Sequence, residues 1–158
     1  MPLAVELVRE VARHAIECFP AECCGWLTDD QIVRCTNAQA TGVHPTVPER
    51  GDDTGFVIAG AELLAFARSF DGPAPARVVY HSHTNGRAYF SEVDREVARG
   101  AGYPVHHLVV GVTATGASEA ALYARRGSAS PRSTAEGRCG GEDGEFVEIA
   151  RWPREVLG

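Results

Sequence analysis

Two bulky apolar runs constrain the fold of this chain more than any other feature. They occupy residues 77–81 (Arg-Val-Val-Tyr-His) and residues 105–112. Continuous runs of this kind are typical of strands buried in the middle of a sheet. Helical patterns lie before, between and after the strand patterns, and this alternation predicts an α/β protein with a mixed β-sheet flanked by helices. Because 158 residues suit one ordinary domain, we expect residues 1–158 to form a single domain.

Periodicity and turn residues outline the remaining elements. Apolar residues recurring at offsets of three and four predict helices, which Pro20, the Asp71-Gly72-Pro73 turn and Gly100 bring to an end. The predicted helices are 4–19, 60–70 and 91–99, and the further predicted strands are 24–28, 32–36, 55–59, 119–126 and 146–152. The first two of these strands form a hairpin. Residues 37–53 are expected to be a long functional loop, and residues 127–145, rich in Gly, Ser, Pro and charge, a flexible excursion.

Composition excludes several classes of protein. No apolar run approaches the roughly 18–20 residues of a membrane span, and the amino-terminal residues lack the pattern of a signal peptide. The net charge of −6 argues against a nucleic-acid partner. The five cysteines are odd in number and contain no C-x-x-C pair, which favours neither a disulfide framework nor a cysteine zinc finger. We therefore expect a cytoplasmic protein without membrane or nucleic-acid partners.

The chemistry is concentrated in the segment His81-Ser82-His83, which is followed after seven residues by Ser91-Glu92-Val93-Asp94. Side chains two apart on a strand point to the same face, so His81 and His83 can converge at the end of the buried strand. Asp94 lies in the first turn of the next helix, and the intervening loop can return it to the strand end. Two imidazoles and one carboxylate suit Zn²⁺ with an open fourth position, as in catalytic zinc sites.

Two other interpretations of the segment stay open. Ser91-x-x-Asp94 also matches a capping box, which is partly compatible with metal binding because the helix dipole favours a carboxylate in the first turn. Fe²⁺ likewise accepts two histidines and one carboxylate, as in iron oxygenases. We therefore weigh an unrelated two-His-one-carboxylate metal enzyme as an alternative.

The H-S-H-x₇-S-x-x-D segment, together with Glu22-Cys23-Cys24-Gly25 just after the first helix, resembles the JAMM (MPN-plus) zinc metalloproteases. The resemblance implies a JAMM/MPN-like fold with cytidine-deaminase-like layering. It implies one Zn²⁺ per chain held by His81, His83 and Asp94. It also implies that Glu22 is the general base towards a zinc-activated water, and that Ser91 stabilises the oxyanion. In that family a proline often follows the second histidine and another precedes the serine, where this chain has Thr84 and Phe90.

The resemblance also implies a substrate class. It favours a stand-alone, prokaryotic-type peptidase or isopeptidase that hydrolyses the bond after the C-terminal Gly-Gly tail of a ubiquitin-like or sulfur-carrier protein. Trimming and deconjugation fit equally well, and no substrate-binding residue is assigned. A non-catalytic MPN scaffold module remains an alternative, and the acidic charge disfavours a DNA-associated relative resembling the RadC proteins.

The other chemically suggestive residues have simpler explanations. Ser82 is expected to point away from the metal and to make a structural hydrogen bond, and Cys24 to be an inert thiol in a buried strand. The adjacent residues His106 and His107 face opposite sides of a strand, which favours packing over ligation. His14 is expected on a helix flank and His44 in the long loop, while Trp26 and Trp152 are expected in the core.

Overall fold

The chain forms a single-domain α/β structure with a mixed sheet, as the sequence predicts. The computed structural model describes residues 3–37, 58–125 and 146–158. Within these ranges the elements, in chain order, are α1 (Val5–Cys18), β1 (Cys24–Leu27), β2 (Ile32–Cys35), α2 (Gly60–Ser69), β3 (Val78–His83), α3 (Glu92–Ala101), β4 (His106–Thr113), β5 (Gly116–Arg125), β6 (Phe146–Pro153) and α4 (Arg154–Leu157). None of these helices is long and apolar enough to cross a bilayer.

The six strands form one sheet in the order β2-β1-β3-β4-β5-β6. Strands β3 and β4 are parallel and are connected through α3, whereas every other neighbouring pair is antiparallel. Strand β3 is therefore central, with its residue His81 opposite Cys24 on one side and Val109 on the other. Apolar side chains cover both faces of the sheet at this strand, which explains its continuous apolar sequence.

Alternating side chains divide the core between the two faces of the sheet. On one face, Tyr80 and Leu108 pack with Val8 and Val11 of α1, and all four are fully buried. The opposite face is covered by α2 and α3, whose residues Phe66 and Ala98 belong to separate apolar clusters. Because successive strand residues alternate, His81 and His83 lie on the face opposite to Tyr80. The two histidines thus face the side of the sheet where α3 packs.

Helix and strand limits agree with the predictions to within a few residues, with identifiable exceptions. Strand β3 continues through His83, and β5 begins at Gly116 rather than at 119. Helix α3 ends at Ala101 and is capped by Gly102, which adopts the left-handed conformation (φ 69°), so the prediction of Gly100 as its stop was wrong. A left-handed residue is what terminates a helix, and Gly100 lies within helical geometry. Helix α4 was not predicted.

Two side-chain predictions fail. The periodicity of residues 60–70 predicts Leu63 on one helix face with Phe66, but Leu63 is 39% exposed whereas Phe66 is buried. His14, expected on a helix flank, is buried, and its Nδ1 lies 2.7 Å from the hydroxyl oxygen of Tyr80. That hydrogen bond makes burial of the imidazole acceptable. The predicted loop beyond residue 37, most of the predicted strand 55–59, the excursion 127–145 and His44 lie outside the described residues.

Candidate metal centre

The last residues of β3 place both histidines on one face of the sheet. His81 is 2% exposed and His83 is 8% exposed, so the two imidazoles are largely removed from water. Between them Ser82 points to the opposite face and is fully buried. This is the alternation expected of a strand, and it confirms that the two histidines converge.

The first turn of α3 supplies the carboxylate. Ser91 is the residue that caps the helix: its Oγ accepts the main-chain N–H of Asp94 at 3.1 Å, while Oδ2 of Asp94 accepts the N–H of Ser91 at 3.0 Å. The predicted capping box is therefore present. It holds the Asp94 carboxylate at the helix N-terminus, where the helix dipole favours its ionised form.

Three ligating atoms meet at one point. Nε2 of His81 lies 3.2 Å from Nε2 of His83, and each of these atoms lies 3.2 Å from Oδ2 of Asp94. Within the described part of the chain this is the group of His, Cys, Asp and Glu side chains whose geometry could hold a metal ion. The capping and metal-binding interpretations thus share one oxygen atom and do not compete for different conformations of Asp94.

This triangle fits a small divalent cation. Tetrahedral Zn²⁺ with nitrogen and oxygen ligands at about 2.0–2.1 Å requires ligand atoms about 3.3–3.4 Å apart. Three ligand atoms on one face of an octahedral ion lie slightly closer together than those of a tetrahedral ion, so Fe²⁺ also fits. Imidazole nitrogens and a carboxylate form the donor set that both metals accept. The buried Nδ1 of His83 has no hydrogen-bond partner among the residues described, whereas a metal-ligating histidine usually donates its other ring N–H to one.

The electrostatics of the site favour an ionised carboxylate. Burial on its own would raise the pKa of Asp94, but the adjacent imidazoles of His81 and His83 outweigh burial and hold that pKa well below its usual range. Asp94 therefore presents an anionic oxygen to the centre of the triangle. A cation placed there would be neutralised in part by this charge.

Hydrogen bonds to β3 hold the segment that carries Glu22 next to the histidine pair. The N–H of the next residue, Cys23, donates to Oγ of Ser82 at 2.8 Å, and the N–H of Ser82 donates to the carbonyl oxygen of Cys23 at 3.2 Å. The carbonyl oxygen of Glu22 accepts Nδ2 of the buried Asn37 at 3.0 Å. Glu22 itself is only 5% exposed. The structure thus confirms the structural role expected of Ser82, which ties the Glu22 segment to β3 between the two histidines.

The loop from residue 84 to residue 90 borders the centre. The aromatic ring of Tyr89 lies 4.7 Å from the His83 ring, and Tyr89 is 43% exposed, so it forms part of the open wall beside the triangle. Sequence reasoning missed Tyr89 and Asn37. The bond from Asn37 to the carbonyl oxygen of Glu22 joins residues 15 apart in sequence, and no local sequence motif predicts it.

Residues with alternative chemistry take no part in the centre. Burial raises the pKa of the Cys24 thiol far above its usual range and that of Cys23 to about 12, which disfavours a thiolate nucleophile. His106 is exposed, whereas His107 packs against the rings of Phe90 and Phe146, and burial lowers its pKa to about 4. The expectation of packing is therefore confirmed for His107, and neither histidine belongs to the group that could hold a metal ion.

A comparison with known protein families adds an independent observation. Residues 4–124 match the family described as prokaryotic homologs of the JAB domain. This match includes α1, Glu22, both histidines and Asp94. The chain belongs to this prokaryotic JAB-domain family. Membership is consistent with the resemblance to the MPN-plus proteins, and it leaves β6 and α4 outside the matched range.

Solved structures support the fold of this JAB-domain protein. A solution structure of a protein from Salinibacter ruber superimposes with a TM-score of 0.52 at 19% identity, covering 95% of this chain and 89% of that one. A protein from Desulfitobacterium hafniense gives a TM-score of 0.50 at 16% identity, with 91% and 86% coverage. At these identities the likeness concerns the fold alone. No curated protein matches the sequence.

Proposed function

We propose that this JAB-domain protein is a zinc-dependent peptidase or isopeptidase. The observation that carries the proposal is the triangle of His81, His83 and Asp94, supported by the cap from Ser91 to Asp94 and by the bond from Ser82 to the segment that carries the buried Glu22. These are the residue types that metal-assisted hydrolysis of an amide needs. Membership of the prokaryotic JAB-domain family supports the same assignment.

The metal and the protein contribute different parts of the reaction. His81, His83 and Asp94 would hold one zinc ion, and zinc supplies a Lewis acid that acidifies water and polarises the scissile carbonyl. The two imidazoles and the carboxylate would leave one side open for substrate, as catalytic sites do.

Glu22 is the proposed general base. Its carboxylate accepts a proton from the attacking water and then delivers that proton to the leaving nitrogen, because expulsion of an amine requires protonation. Its segment is fixed by the bonds from Asn37 and to Ser82, which limits how far Glu22 can move from the histidines. Positional restraint of this kind is what efficient proton transfer needs.

Ser91 is the proposed oxyanion donor. Its Oγ accepts the N–H of Asp94, and a hydroxyl that accepts one hydrogen bond can still donate its own hydrogen. That hydrogen can stabilise the carbonyl oxygen as negative charge develops on it. Capping and oxyanion stabilisation are therefore compatible roles for one side chain.

We further propose that the substrate is a ubiquitin-like or sulfur-carrier protein cleaved after its C-terminal Gly-Gly tail. One candidate approach is addition of the tail as an extra strand. The edge strand β2 lies two strands from His81, with Cys35 opposite Cys24 and Cys24 opposite His81. At about 4.8 Å per strand, a strand added to β2 would run about 14 Å from His81. The end of the tail would have to leave that strand to reach the metal centre.

The proposal is tested by cleavage. The zinc-loaded protein is incubated with ubiquitin-like and sulfur-carrier proteins that carry an extension after Gly-Gly, and the products are weighed by mass spectrometry. We expect a product that ends in Gly-Gly, no product after removal of metal with a chelator, and none with Glu22→Gln. Glu10→Gln, an exposed glutamate on α1, is the matched control and should cleave normally.

Two alternatives are separate outcomes of this experiment. A protein that binds zinc and the carrier but cleaves none of the fusions would be a non-catalytic scaffold module. Stoichiometric iron in the purified protein, together with oxygen-dependent chemistry, would indicate a two-His-one-carboxylate oxygenase instead.

A further inference from the structure

The loop between His83 and Ser91 follows an extended, alternating pattern. Ala88 and Phe90 are buried, at 1% and 5% exposure, whereas Arg87 and Tyr89 are exposed. Phe90 packs on the rings of Tyr123 and Phe146 beneath the loop. The loop therefore packs on the sheet, and it leads directly into α3, the helix that carries Asp94.

Side chains from β5 and from the edge strand β6 bind both main-chain polar groups of Ala88. The Ala88 N–H donates to Oε2 of Glu119 at 2.8 Å, and the Ala88 carbonyl oxygen accepts Nη2 of Arg151 at 3.0 Å and the Tyr123 hydroxyl at 3.1 Å. Nη1 of Arg151 in turn lies 2.8 Å from Oε1 of Glu119. We call Glu119, Tyr123 and Arg151 the Ala88 clamp.

A fourth side chain orients the clamp. Glu148 receives Nε of Arg151 at 2.9 Å and Nη2 at 2.8 Å, a two-point contact that fixes the plane of the guanidinium. As exposed ion pairs these contacts contribute little to stability, since the Arg151 side chain is 38% exposed. Their bonds to Ala88 matter more, because leaving a buried main-chain group without a hydrogen-bond partner lowers the free energy of unfolding.

A neighbouring contact holds the loop at a second point. Ser118 donates to the carbonyl oxygen of Gly86, and a Cβ added at Gly111 would lie 2.6 Å from the main-chain nitrogen of Arg87. The loop thus touches the sheet at Gly86 and at Ala88. These two contacts restrain the main chain that leads to Ser91.

We propose that Glu119 and Arg151 are positioning residues for the metal centre. By binding both polar groups of Ala88 they set where Ser91 and Asp94 stand relative to His81 and His83. The clamp replaces the rigidity that prolines at positions 84 and 90 would give. Arg151 lies beyond residue 124, outside the family match, so its role is argued from these contacts alone. As far as the reaction is concerned, this inference rests on the proposed function.

The test compares variants that separate the bond to Ala88 from the ion pair. Glu119→Ala removes the acceptor of the Ala88 N–H, whereas Glu119→Gln keeps an acceptor oxygen and loses the charge. Arg151→Ala removes a donor to the Ala88 carbonyl oxygen. Arg34→Ala is the matched control, because Arg34 lies in the opposite edge strand, is 37% exposed and pairs with Glu17 at 2.6 Å.

Three quantities are measured: the amide exchange rate of Ala88 by NMR, zinc affinity by competition with a chelator, and the visible spectrum of the Co²⁺-loaded protein. We expect Glu119→Ala and Arg151→Ala to speed Ala88 exchange at least tenfold, to weaken zinc binding about tenfold and to change the cobalt spectrum. Glu119→Gln and Arg34→Ala should stay close to wild type. If Glu119→Ala does not fold, Arg151→Ala carries the test.

Wild-type exchange and zinc affinity in both alanine variants would overturn the proposal. So would a Glu119→Gln variant as defective as Glu119→Ala, since the ion pair and not the bond to Ala88 would then be essential. Exchange is measured without substrate or metal. Failure of the clamp is therefore distinguishable from failure of the proposed peptidase activity.

Discussion

Ser91 and Asp94 bind each other's main-chain N–H groups through their side chains, and the same Oδ2 of Asp94 lies 3.2 Å from both imidazoles of the metal centre. The helix cap and the candidate metal ligand are thus one structural unit. Any change at Ser91 affects both helix stability and the position of Asp94. The two effects can be separated only by measuring stability and turnover together.

Replacing Ser91 with alanine removes the cap and the proposed oxyanion donor at once. We expect a loss of about 1 kcal/mol in the free energy of unfolding from the cap. Turnover should fall by a further 10²–10³-fold because the developing oxyanion loses its donor. Chemical denaturation and steady-state kinetics measure the two losses. Ser91→Thr keeps a capping hydroxyl and should retain most of both, whereas intact turnover in Ser91→Ala would reduce Ser91 to a cap.

Much of this arrangement could be predicted from sequence because its signals are local. The alternation that converges His81 and His83 and the spacing of the capping box both follow from strand and helix periodicity. The Ala88 clamp could not be predicted, because Glu119 and Arg151 meet Ala88 only through the sheet order. The burial of His14 was missed for the same reason: its partner, Tyr80, is 66 residues away in sequence.

We expect Glu22 to transfer a proton during the reaction and to contribute little to the stability of the fold. Glu22→Gln keeps the size of the side chain and removes the base, so cleavage should fall at least 10²-fold while zinc content and thermal stability stay near wild type. Zinc analysis, thermal unfolding and turnover are measured on one preparation. Turnover close to wild type would remove Glu22 from its proposed role.

The buried pair of His14 and Tyr80 predicts a dependence of stability on pH. Burial, aided by the charge of Arg34, lowers the pKa of His14 to about 4, and burial raises the pKa of Tyr80, so a neutral imidazole accepts the Tyr80 hydroxyl. Between pH 6.5 and about 4 the unfolded chain binds more protons than the folded one at this position. The free energy of unfolding should therefore fall as pH decreases through this range.

The double variant His14→Phe with Tyr80→Phe isolates this effect. It removes both partners and leaves no orphaned hydroxyl, so it should fold at neutral pH with a shallower loss of stability on acidification. Denaturation is measured with a chelator present, so that metal release does not contribute. His107, whose pKa is also lowered, contributes equally to both proteins. Identical pH profiles would contradict the assignment.

Gly25 is required by a close approach in the sheet. A Cβ there would lie 2.6 Å from Cζ of the fully buried Tyr80, so Gly25→Ala should destabilise the protein by about 1–3 kcal/mol or more through overpacking. Gly100→Ala on α3 is the matched control. Its Cβ meets nothing within 4 Å, and alanine favours a helix by about 1 kcal/mol over glycine. The free energy of unfolding, measured by chemical denaturation, should therefore fall for Gly25→Ala and rise for Gly100→Ala.

Zinc binding to the metal-free protein tests the central claim most directly. Calorimetric titration of the chelator-stripped wild type should show one Zn²⁺ per chain. Asp94→Asn, which keeps an oxygen for the Ser91 N–H but loses the charge, should bind zinc at least 10²-fold more weakly, while the exposed-histidine control His106→Ala binds it normally. Absence of zinc binding by the wild type, or wild-type affinity in Asp94→Asn, would contradict a metal centre at His81, His83 and Asp94.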